Sequence, residues 1–230
     1  MSATVAILYQ DDAILVVNKP AGLAVQPGGW GAAEPSLRKA LEENFGRLWV
    51  VHRLDKETSG VLVLARSAEA HRHLNHQFEQ RQVHKVYHAL VRGLPAWDEH
   101  EVNLPLRSDI GHRHRTAVDE RHGKPSRTRV RVLERYQAAA APASLVEAQP
   151  FSGRTHQIRA HLAALGLSVL GDNLYGEPGR AEIATEASQW RLMLHAWSLV
   201  FHHPTDGREL QVQAPYPPDF TERLASLRAV

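Results

Sequence analysis

The 230-residue sequence contains no cysteine, which excludes disulfide bonds and zinc sites built on thiolates. It also lacks a basic N-terminal region followed by a long apolar run, since the chain begins Met1-Ser2-Ala3-Thr4. Neither secretion nor membrane insertion is therefore indicated. We expect a cytoplasmic protein that does not associate with membranes.

Motifs of several common enzyme classes are missing as well. There is no Walker-type Gly-Lys-Ser/Thr loop and no strand-Gly-x-Gly-x-x-Gly-helix unit, so neither nucleotide-fuelled nor dinucleotide chemistry is supported. The 15 histidines form no His-Glu-x-x-His set, although six of them are close in sequence as the pairs His71/His73, His112/His114 and His202/His203. We predict no metal site, and a metal-dependent hydrolase remains only as an alternative.

Composition is that of an ordinary globular protein, with 43% hydrophobic and 23% charged residues. A chain of this length can bury one sizeable core, and no repeat, low-complexity tract or linker divides it, so we predict a single domain over residues 1–230. The formal net charge is only +2, but residues 107–135 carry nine Arg or Lys against four Asp or Glu. This basic stripe suits a phosphate backbone, and it equally suits an edge strand on which arginine deters pairing.

Hydrophobic periodicity predicts more strands than helices. Helices are predicted after Ser36 and Ser67, over Thr155–Leu165 and from about Asp219, whereas residues 93–127 are expected to be a long irregular excursion. Strands are predicted over Val5–Tyr9, Ala13–Val17, Val61–Ala65, Val83–Val91, Thr128–Val132, Leu145–Ala148, Leu192–Phe201 and Glu209–Gln213. Most connections are too short for parallel crossovers. The predicted fold class is α+β, a mixed and mainly antiparallel sheet flanked by helices and loops.

The run His52-Arg53-Leu54-Asp55-Lys56-Glu57-Thr58-Ser59-Gly60 is the most informative local feature. It leads into the apolar segment Val61–Ala65, so it places a carboxylate beside cations at the entrance of a buried strand. Thr58, Ser59 and Gly60 shape the turn. A rigid carboxylate of this kind suits a catalytic loop, although an ordinary polar turn would have the same residue types.

A second polar constellation, Gly153-Arg154-Thr155-His156-Gln157-Ile158-Arg159-Ala160-His161, opens a predicted helix. A helix start with two arginines favours an anion or carboxylate partner. It is followed by Gly171-Asp172-Asn173-Leu174-Tyr175-Gly176, in which glycine permits close approach of the backbone. Each segment alone is compatible with a purely structural role.

Together these motifs resemble the RluA family of pseudouridine synthases. The resemblance rests on Lys19-Pro20-Ala21-Gly22, the His52–Gly60 run, Lys85-Val86-Tyr87, the segment from Gly153 to Arg159, Gly171-Asp172 with Tyr175-Gly176, and Leu194-His195-Ala196. They occur in the family's order and approximate spacing from about Val5 to Pro215. The resemblance implies the pseudouridine synthase fold, with a catalytic cleft along the sheet. Many members carry a separate S4-type RNA-binding module, but the short N-terminus of this sequence leaves no room for one, so we expect the catalytic domain only.

The family resemblance also implies a reaction and its residues. The reaction is the cofactor-free isomerisation of a uridine flipped out of structured RNA, ribosomal or transfer RNA. Asp55 matches the essential aspartate, which acts as nucleophile or as base, and Arg159 matches the arginine that keeps it ionised. Tyr87 matches the tyrosine that stacks on uracil. Arg53 matches the residue that replaces the flipped base.

Further substrate contacts are implied for Lys85, Arg154 and His156, and Leu194 is expected to form a wall of the pocket. No cofactor and no metal are implied, and we expect a monomer. A non-catalytic RNA-binding module is the other alternative, against which the presence of Asp55, Tyr87 and Arg159 argues.

Overall fold

Strands and helices begin where polar capping and turn residues interrupt the apolar runs of this chain. The computed structural model describes residues 5–27, 35–110, 115–137, 142–176 and 190–228. These residues form β1 (Ala6–Gln10), β2 (Ile14–Lys19), α1 (Leu37–Phe45), β3 (Trp49–Val50), β4 (Ser59–Ala65), α2 (Ala68–Glu79), β5 (His84–Arg92), β6 (Glu99–Asn103), β7 (Leu106–Ile110), β8 (Arg115–Val118), β9 (Arg127–Tyr136), β10 (Ala143–Pro150), α3 (Gln157–Ala164), β11 (Leu194–His202), β12 (Glu209–Gln213) and α4 (Pro218–Arg228).

The chain forms two compact units, each built from segments that are not contiguous in sequence. The first unit comprises Met1–Lys85 and His195–Pro217, and the second comprises Val86–Leu194 and Pro218–Val230. The chain therefore passes from one unit to the other three times. The single domain predicted over residues 1–230 stays a prediction.

The core of the first unit is built on β4. All seven residues of β4 are buried, and β2 pairs antiparallel with it through Ile14 opposite Ala65. On the other side of β4, β11 runs parallel, with His195 opposite Ser59. The strands β1, β3 and β12 complete this sheet through antiparallel pairs with β2, β4 and β11 respectively.

Two capped helices of the first unit confirm the sequence predictions. The Ser36 hydroxyl accepts a hydrogen bond from the Lys39 N–H and begins α1, which ends at Gly46. Ser67 caps α2 in the same way through the Ala70 N–H, and Leu74 lies on the buried face of that helix. A serine that satisfies a free N–H group at a helix start explains both boundaries.

The second unit contains the antiparallel sheet β5-β10-β9-β6 and the separate hairpin β7-β8. Helix α4 buries Phe220, Leu224 and Leu227. Except for β4 with β11, the strand pairs within both units are antiparallel. The predicted class, a mixed and mainly antiparallel sheet with few helices, is therefore confirmed.

The prediction of little regular structure over residues 93–127 was wrong, because β6, β7 and β8 lie there. These strands contain few buried apolar residues, so hydrophobic alternation did not indicate them. In β6 only Val102 is buried, and its carboxylates Glu99 and Glu101 pair with Arg129 and Arg127 of β9. An edge strand held by charged pairs carries almost no hydrophobic alternation.

None of the helices in the described part of the chain is long and apolar enough to cross a membrane.

Candidate functional site

The loop that carries Asp55 joins β3 to β4 and is anchored on both sides of the carboxylate. Leu54 is buried, and the Thr58 N–H donates to the Asp55 carbonyl at 3.1 Å, closing the turn. Thr58 and Ser59 are buried as well, whereas Arg53 is exposed and Asp55 is partly exposed. The backbone of Asp55 is thus fixed by this turn.

His52 fixes the start of this loop. Its Nε2 accepts a hydrogen bond from the Val63 N–H of β4 at 3.1 Å, and its ring stacks on Phe78 of α2 at 4.6 Å. Burial lowers the pKa of His52 to about 3, and the positive charge of Lys85 acts in the same direction. A neutral, immobilised imidazole holds the loop and is not equipped to exchange protons near neutral pH.

Lys19 ties the same loop to the Lys19-Pro20-Ala21-Gly22 turn. It is fully buried, and its ammonium donates to the carbonyls of Pro20, Leu23 and Lys56 at 2.8, 2.8 and 3.0 Å. The Gly22 N–H also donates to the Lys56 carbonyl, at 2.9 Å. Lys56 directly follows Asp55, so Lys19 positions the backbone on which the carboxylate sits.

The Leu194-His195-Ala196 motif supports the loop from β11. The His195 Nε2 lies 3.0 Å from the Ala214 carbonyl and its Nδ1 lies 2.8 Å from the Ser59 hydroxyl. Because a carbonyl only accepts, Nε2 carries the hydrogen and Ser59 donates to Nδ1. Gly60 has φ +119°, and a Cβ there would lie 2.2 Å from the Ala196 carbonyl oxygen. Glycine is therefore required where β4 and β11 meet.

Lys85 is the remaining predicted site residue of the first unit and begins β5 with His84. It is half-buried, and burial lowers the pKa of its ammonium, with the nearby charge of Arg81 adding to this.

Five predicted site residues belong to the second unit: Tyr87, Arg154, His156, Arg159 and Leu194. Tyr87 lies on β5 opposite Ala148 of β10 and is partly buried. Leu194 is the first residue of β11 and is buried. The structure brings Arg159 and His156 together on a third residue, Tyr175.

Arg159 lies on α3 and is buried. Its Nε and Nη2 donate to the two carboxylate oxygens of Asp172, each at 2.7 Å. The guanidinium also lies over the ring of Tyr175, with Cζ 5.0 Å from the ring centroid. Asp172 was not predicted from the sequence as a partner of Arg159. The only available signal was its position in the Gly171-Asp172 motif.

His156 precedes α3 in the left-handed conformation, with φ +52°, which is uncommon for residues other than glycine. The Tyr175 hydroxyl accepts from the Thr116 N–H at 2.7 Å and lies 3.1 Å from the His156 Nδ1. Burial raises the pKa of Tyr175, which keeps this hydroxyl protonated.

The first turn of α3 is locked by Gln157, which the sequence analysis also missed as a functional support. Its amide nitrogen donates to the Arg127 carbonyl and the Thr128 hydroxyl, both at 3.0 Å. Its carbonyl oxygen accepts from the Ser152 hydroxyl and from the Arg154 N–H, at 2.8 and 3.1 Å. Arg154 is therefore placed through its backbone, and α3 is fixed to β9.

The basic stripe is largely compensated along β9. Four of its arginines form ion pairs with carboxylates: Arg127 with Glu101, Arg129 with Glu99, Arg131 with Glu147 and Arg135 with Asp98. Of the two interpretations, this geometry favours the charged strand over a free phosphate-binding surface.

The close histidine pairs are not assembled into a metal site in the described part of the chain. Within it, no three His, Asp or Glu side chains are grouped so that they could hold a metal ion. His71 lies near the Val50 carbonyl and Asn75, and His203 contacts Asp11 and Asp206. His112 and His114 lie outside the described residues.

Comparison with known proteins supports the resemblance. A family model for RNA pseudouridylate synthases matches residues 13–164. The chain is 40% identical over 223 residues to the dual-specificity RNA pseudouridine synthase RluA of Vibrio vulnificus, covering 96% of this chain and 87% of that protein. It is 39% identical over 226 residues to the ribosomal large subunit pseudouridine synthase C of Pasteurella multocida, covering 96% and 68%.

A solved structure agrees with these relatives. The human RNA pseudouridylate synthase domain containing 1 superposes with a TM-score of 0.79 at 31% identity, covering 99% of this chain and 96% of that one. The match to the family model begins at Ala13 and extends through the Asp55 loop to α3. The matched region therefore includes both Asp55 and Arg159. This chain, an isomerase, belongs to the RNA pseudouridylate synthase family.

Proposed function

We propose that this protein converts specific uridines of structured ribosomal or transfer RNA to pseudouridine, with Asp55 as the essential group. The observation that supports Asp55 in this role is the number of contacts that fix the backbone of its loop. Lys19, His52 and the Ser59–His195 pair all hold the backbone around one partly exposed carboxylate. The choice of RNA is supported by the relatives, whose names refer to large-subunit ribosomal RNA and to dual specificity.

Arg159 is proposed to keep Asp55 ionised. A carboxylate that meets an uncharged base inside a pocket loses water, which raises its pKa and favours the neutral acid. An arginine beside it opposes this, because the guanidinium stays charged at every physiological pH. The support is the family motif and the burial of Arg159, which makes it a cation of fixed position.

The other predicted residues are proposed to bind the flipped nucleotide. Tyr87 stacks on uracil with its aromatic face and offers a hydroxyl for proton transfer at C5. Arg53, which is exposed, takes the place of the base in the RNA stack and offsets part of an unstacking cost of a few kcal/mol. Leu194 forms an apolar wall, and Lys85, Arg154 and His156 contact the RNA backbone or the base.

The proposed reaction needs no cofactor, because the uracil is cleaved from the ribose, turned and rejoined through C5 without net oxidation. We also propose a monomer that acts in the cytoplasm, as expected from the sequence.

Asp55→Asn tests the assignment directly. Asparagine keeps the size of the side chain but can neither attack nor accept a proton as a carboxylate does. We expect pseudouridine formation on ribosomal and transfer RNA to fall by at least about 1000-fold, on the scale of losing an essential catalytic group. RNA affinity and melting temperature should stay near those of the parent.

Glu57→Gln is the matched control, since Glu57 is an exposed carboxylate on the same loop and its loss should leave turnover unchanged. Pseudouridine mapping of cellular RNA with and without the protein would identify the modified position. Substantial turnover by Asp55→Asn would remove Asp55 from its role. A parent protein that forms no pseudouridine in either RNA would count against the proposed substrates.

A further inference from the structure

We infer that Asp172 is a positioning residue for catalysis: it holds Arg159 in one orientation through a side-on, two-bond carboxylate contact. The inference rests on the proposed function, in which Arg159 acts on Asp55. It adds a residue for which the sequence analysis gave no role beyond its place in a turn.

The contact has the geometry of a fixed pair. Both hydrogen bonds from Arg159 to Asp172 measure 2.7 Å, and they join two nitrogens of the guanidinium to the two oxygens of one carboxylate. Parallel bonds of this kind set the plane of the guanidinium as well as its distance. A single bond, or a lysine, would set distance alone.

Asp172 is itself immobile. Its side chain is fully buried, and its Oδ1 also accepts the N–H groups of Leu174 and Tyr175, at 2.9 and 3.0 Å. Its carbonyl accepts from the Gly176 N–H at 3.0 Å. A carboxylate held by two backbone donors has little freedom to follow a moving arginine, so Asp172 determines where the guanidinium lies.

The loop around Asp172 cannot shift easily. Gly171 has φ +73°, and a Cβ there would lie 2.1 Å from the Arg191 carbonyl oxygen. The backbone is therefore packed against residue 191 at a distance that only glycine permits. This close approach explains why glycine precedes Asp172.

Tyr175 fixes one face of the guanidinium. Its ring lies under Arg159, and its hydroxyl is held between the Thr116 N–H and His156. Arg115 also lies over this ring, 5.1 Å from its centroid. Asp172, Tyr175, His156 and Arg115 are thus among the titratable or charged groups near Arg159 in the described part of the second unit.

One edge and one face of the guanidinium are therefore set by the protein before RNA binds. An arginine side chain that is not held in this way loses rotamer entropy when it is fixed during the reaction. A cation oriented in advance stabilises the ionised aspartate without reorganisation during the reaction. Asp172 supplies this orientation.

The charge of Asp172 would have the opposite effect on Asp55 from its geometry. If Asp172 acted only through charge, its neutralisation would remove a negative charge and leave that of Arg159 uncompensated. The pKa of Asp55 would then fall, and the acid limb of the pH-rate profile would move to lower pH. If Asp172 positions Arg159, its loss releases the guanidinium, the pKa of Asp55 rises, and the acid limb moves to higher pH. The direction of the shift separates the two roles.

The test compares Asp172→Asn with Arg159→Met, using kcat, KM and the pH-rate profile on the same RNA. We expect Asp172→Asn to lower kcat on the order of 10- to 100-fold, as for a misplaced catalytic group, with KM nearly unchanged. Its acid limb should move to higher pH, by less than in Arg159→Met. The double variant should be no slower than Arg159→Met alone, because the two residues act as one unit.

Glu134→Gln is the matched control, because Glu134 forms a comparable two-bond pair with Arg228 in the same unit. It should lower the melting temperature but leave the acid limb in place. Should Asp172→Asn fail to fold, Asp172→Glu displaces the carboxylate by one methylene while keeping the charge, and the same upward shift is expected.

An acid limb that stays in place or moves to lower pH in the folded Asp172 variant would overturn the inference. Failure of the proposed function looks different, since the acid limb would then stay in place in Arg159→Met as well.

Discussion

Buried histidines act as connectors in this protein, at the scale of single residues. His161 donates from Nε2 to the Leu104 carbonyl and accepts from the Thr128 hydroxyl at Nδ1, as His195 does with Ala214 and Ser59. Burial lowers the pKa of His161. A neutral ring with one donor and one acceptor nitrogen joins two strands or loops in a way that no aliphatic side chain can.

His52→Gln is expected to reduce the pH dependence of stability. The folded protein keeps His52 neutral down to about pH 3, whereas the unfolded chain binds a proton below about pH 6.5. The free energy of unfolding must therefore fall as the pH drops from 6.5 toward 3. Glutamine can accept the Val63 N–H but does not titrate, so the slope should decrease by up to about 1.4 kcal/mol per pH unit.

Denaturant unfolding between pH 7 and pH 4 measures this slope. His84→Gln is the control, since His84 is exposed at the start of β5 and its replacement should leave the slope unchanged. The slope should fall and not vanish, because burial also lowers the pKa of His88, to about 4. An unaltered slope in His52→Gln would mean that His52 titrates normally in the folded state.

Sequence motifs indicated the proposed catalytic residues but not the residues that support them. Arg159 was predicted from the family motif around it, but its partner Asp172 lies 13 positions away in a turn, and no periodicity joins a helix to a turn. Thr116, which holds Tyr175, lies in a segment predicted to be irregular. Supporting contacts depend on the folded backbone, which pattern reading does not supply.

At the scale of elements, the Lys19-Pro20-Ala21-Gly22 turn acts as a support for the Asp55 loop. Lys19→Met keeps the length of the side chain and removes the buried ammonium that donates to the carbonyls of Pro20, Leu23 and Lys56. The free energy of unfolding should fall on the order of 3 kcal/mol, since unsatisfied buried polar groups cost about 1–3 kcal/mol each and do not add fully. Turnover should fall at temperatures where the variant is still folded, because the Lys56 carbonyl loses one of its two donors and keeps only the Gly22 N–H.

Chemical denaturation and single-turnover kinetics check both effects. Lys39→Met is the control, since Lys39 is exposed on α1. It should change the free energy of unfolding by no more than about 0.5 kcal/mol and leave turnover unchanged. Normal stability in Lys19→Met would show that water or the chain itself replaces the ammonium.

Element boundaries were predictable where a local signal sets them. Ser36, Ser67 and Gly46 mark helix ends in the sequence and in the structure. Strand β6 had no such signal, because its stability comes from ion pairs with β9, about 30 residues further along the chain. Pairing between distant polar segments is a tertiary effect, so local propensity could not reveal it.

At the scale of the whole molecule, the excess of positive charge in one segment did not predict how much uncompensated positive charge lies on the surface. Residues 107–135 have an excess of five positive charges, yet the arginines of β9 have carboxylate partners from β6, β10 and the segment before β6. Exposed pairs of this kind contribute about 0–1 kcal/mol each. Their main effect here is to reduce the positive field that RNA would meet along β9.

The connectivity of the chain predicts that both units unfold together. Strand β5 begins in the first unit with His84 and Lys85 and continues in the second, and β11 begins with Leu194 in the second and continues in the first. Neither unit can unfold without disrupting a strand that also belongs to the other. We therefore expect one calorimetric transition whose measured and van't Hoff enthalpies agree.

Matched core substitutions test this cooperativity. Leu64→Ala in β4 and Leu224→Ala in α4 remove buried side chains from the first and the second unit respectively, each at a cost of about 2–5 kcal/mol. If the units unfold as one, either substitution shifts the whole transition to lower temperature and leaves it single. A second transition that appears in one variant, with the other part melting as in the parent, would show that the units are independent domains.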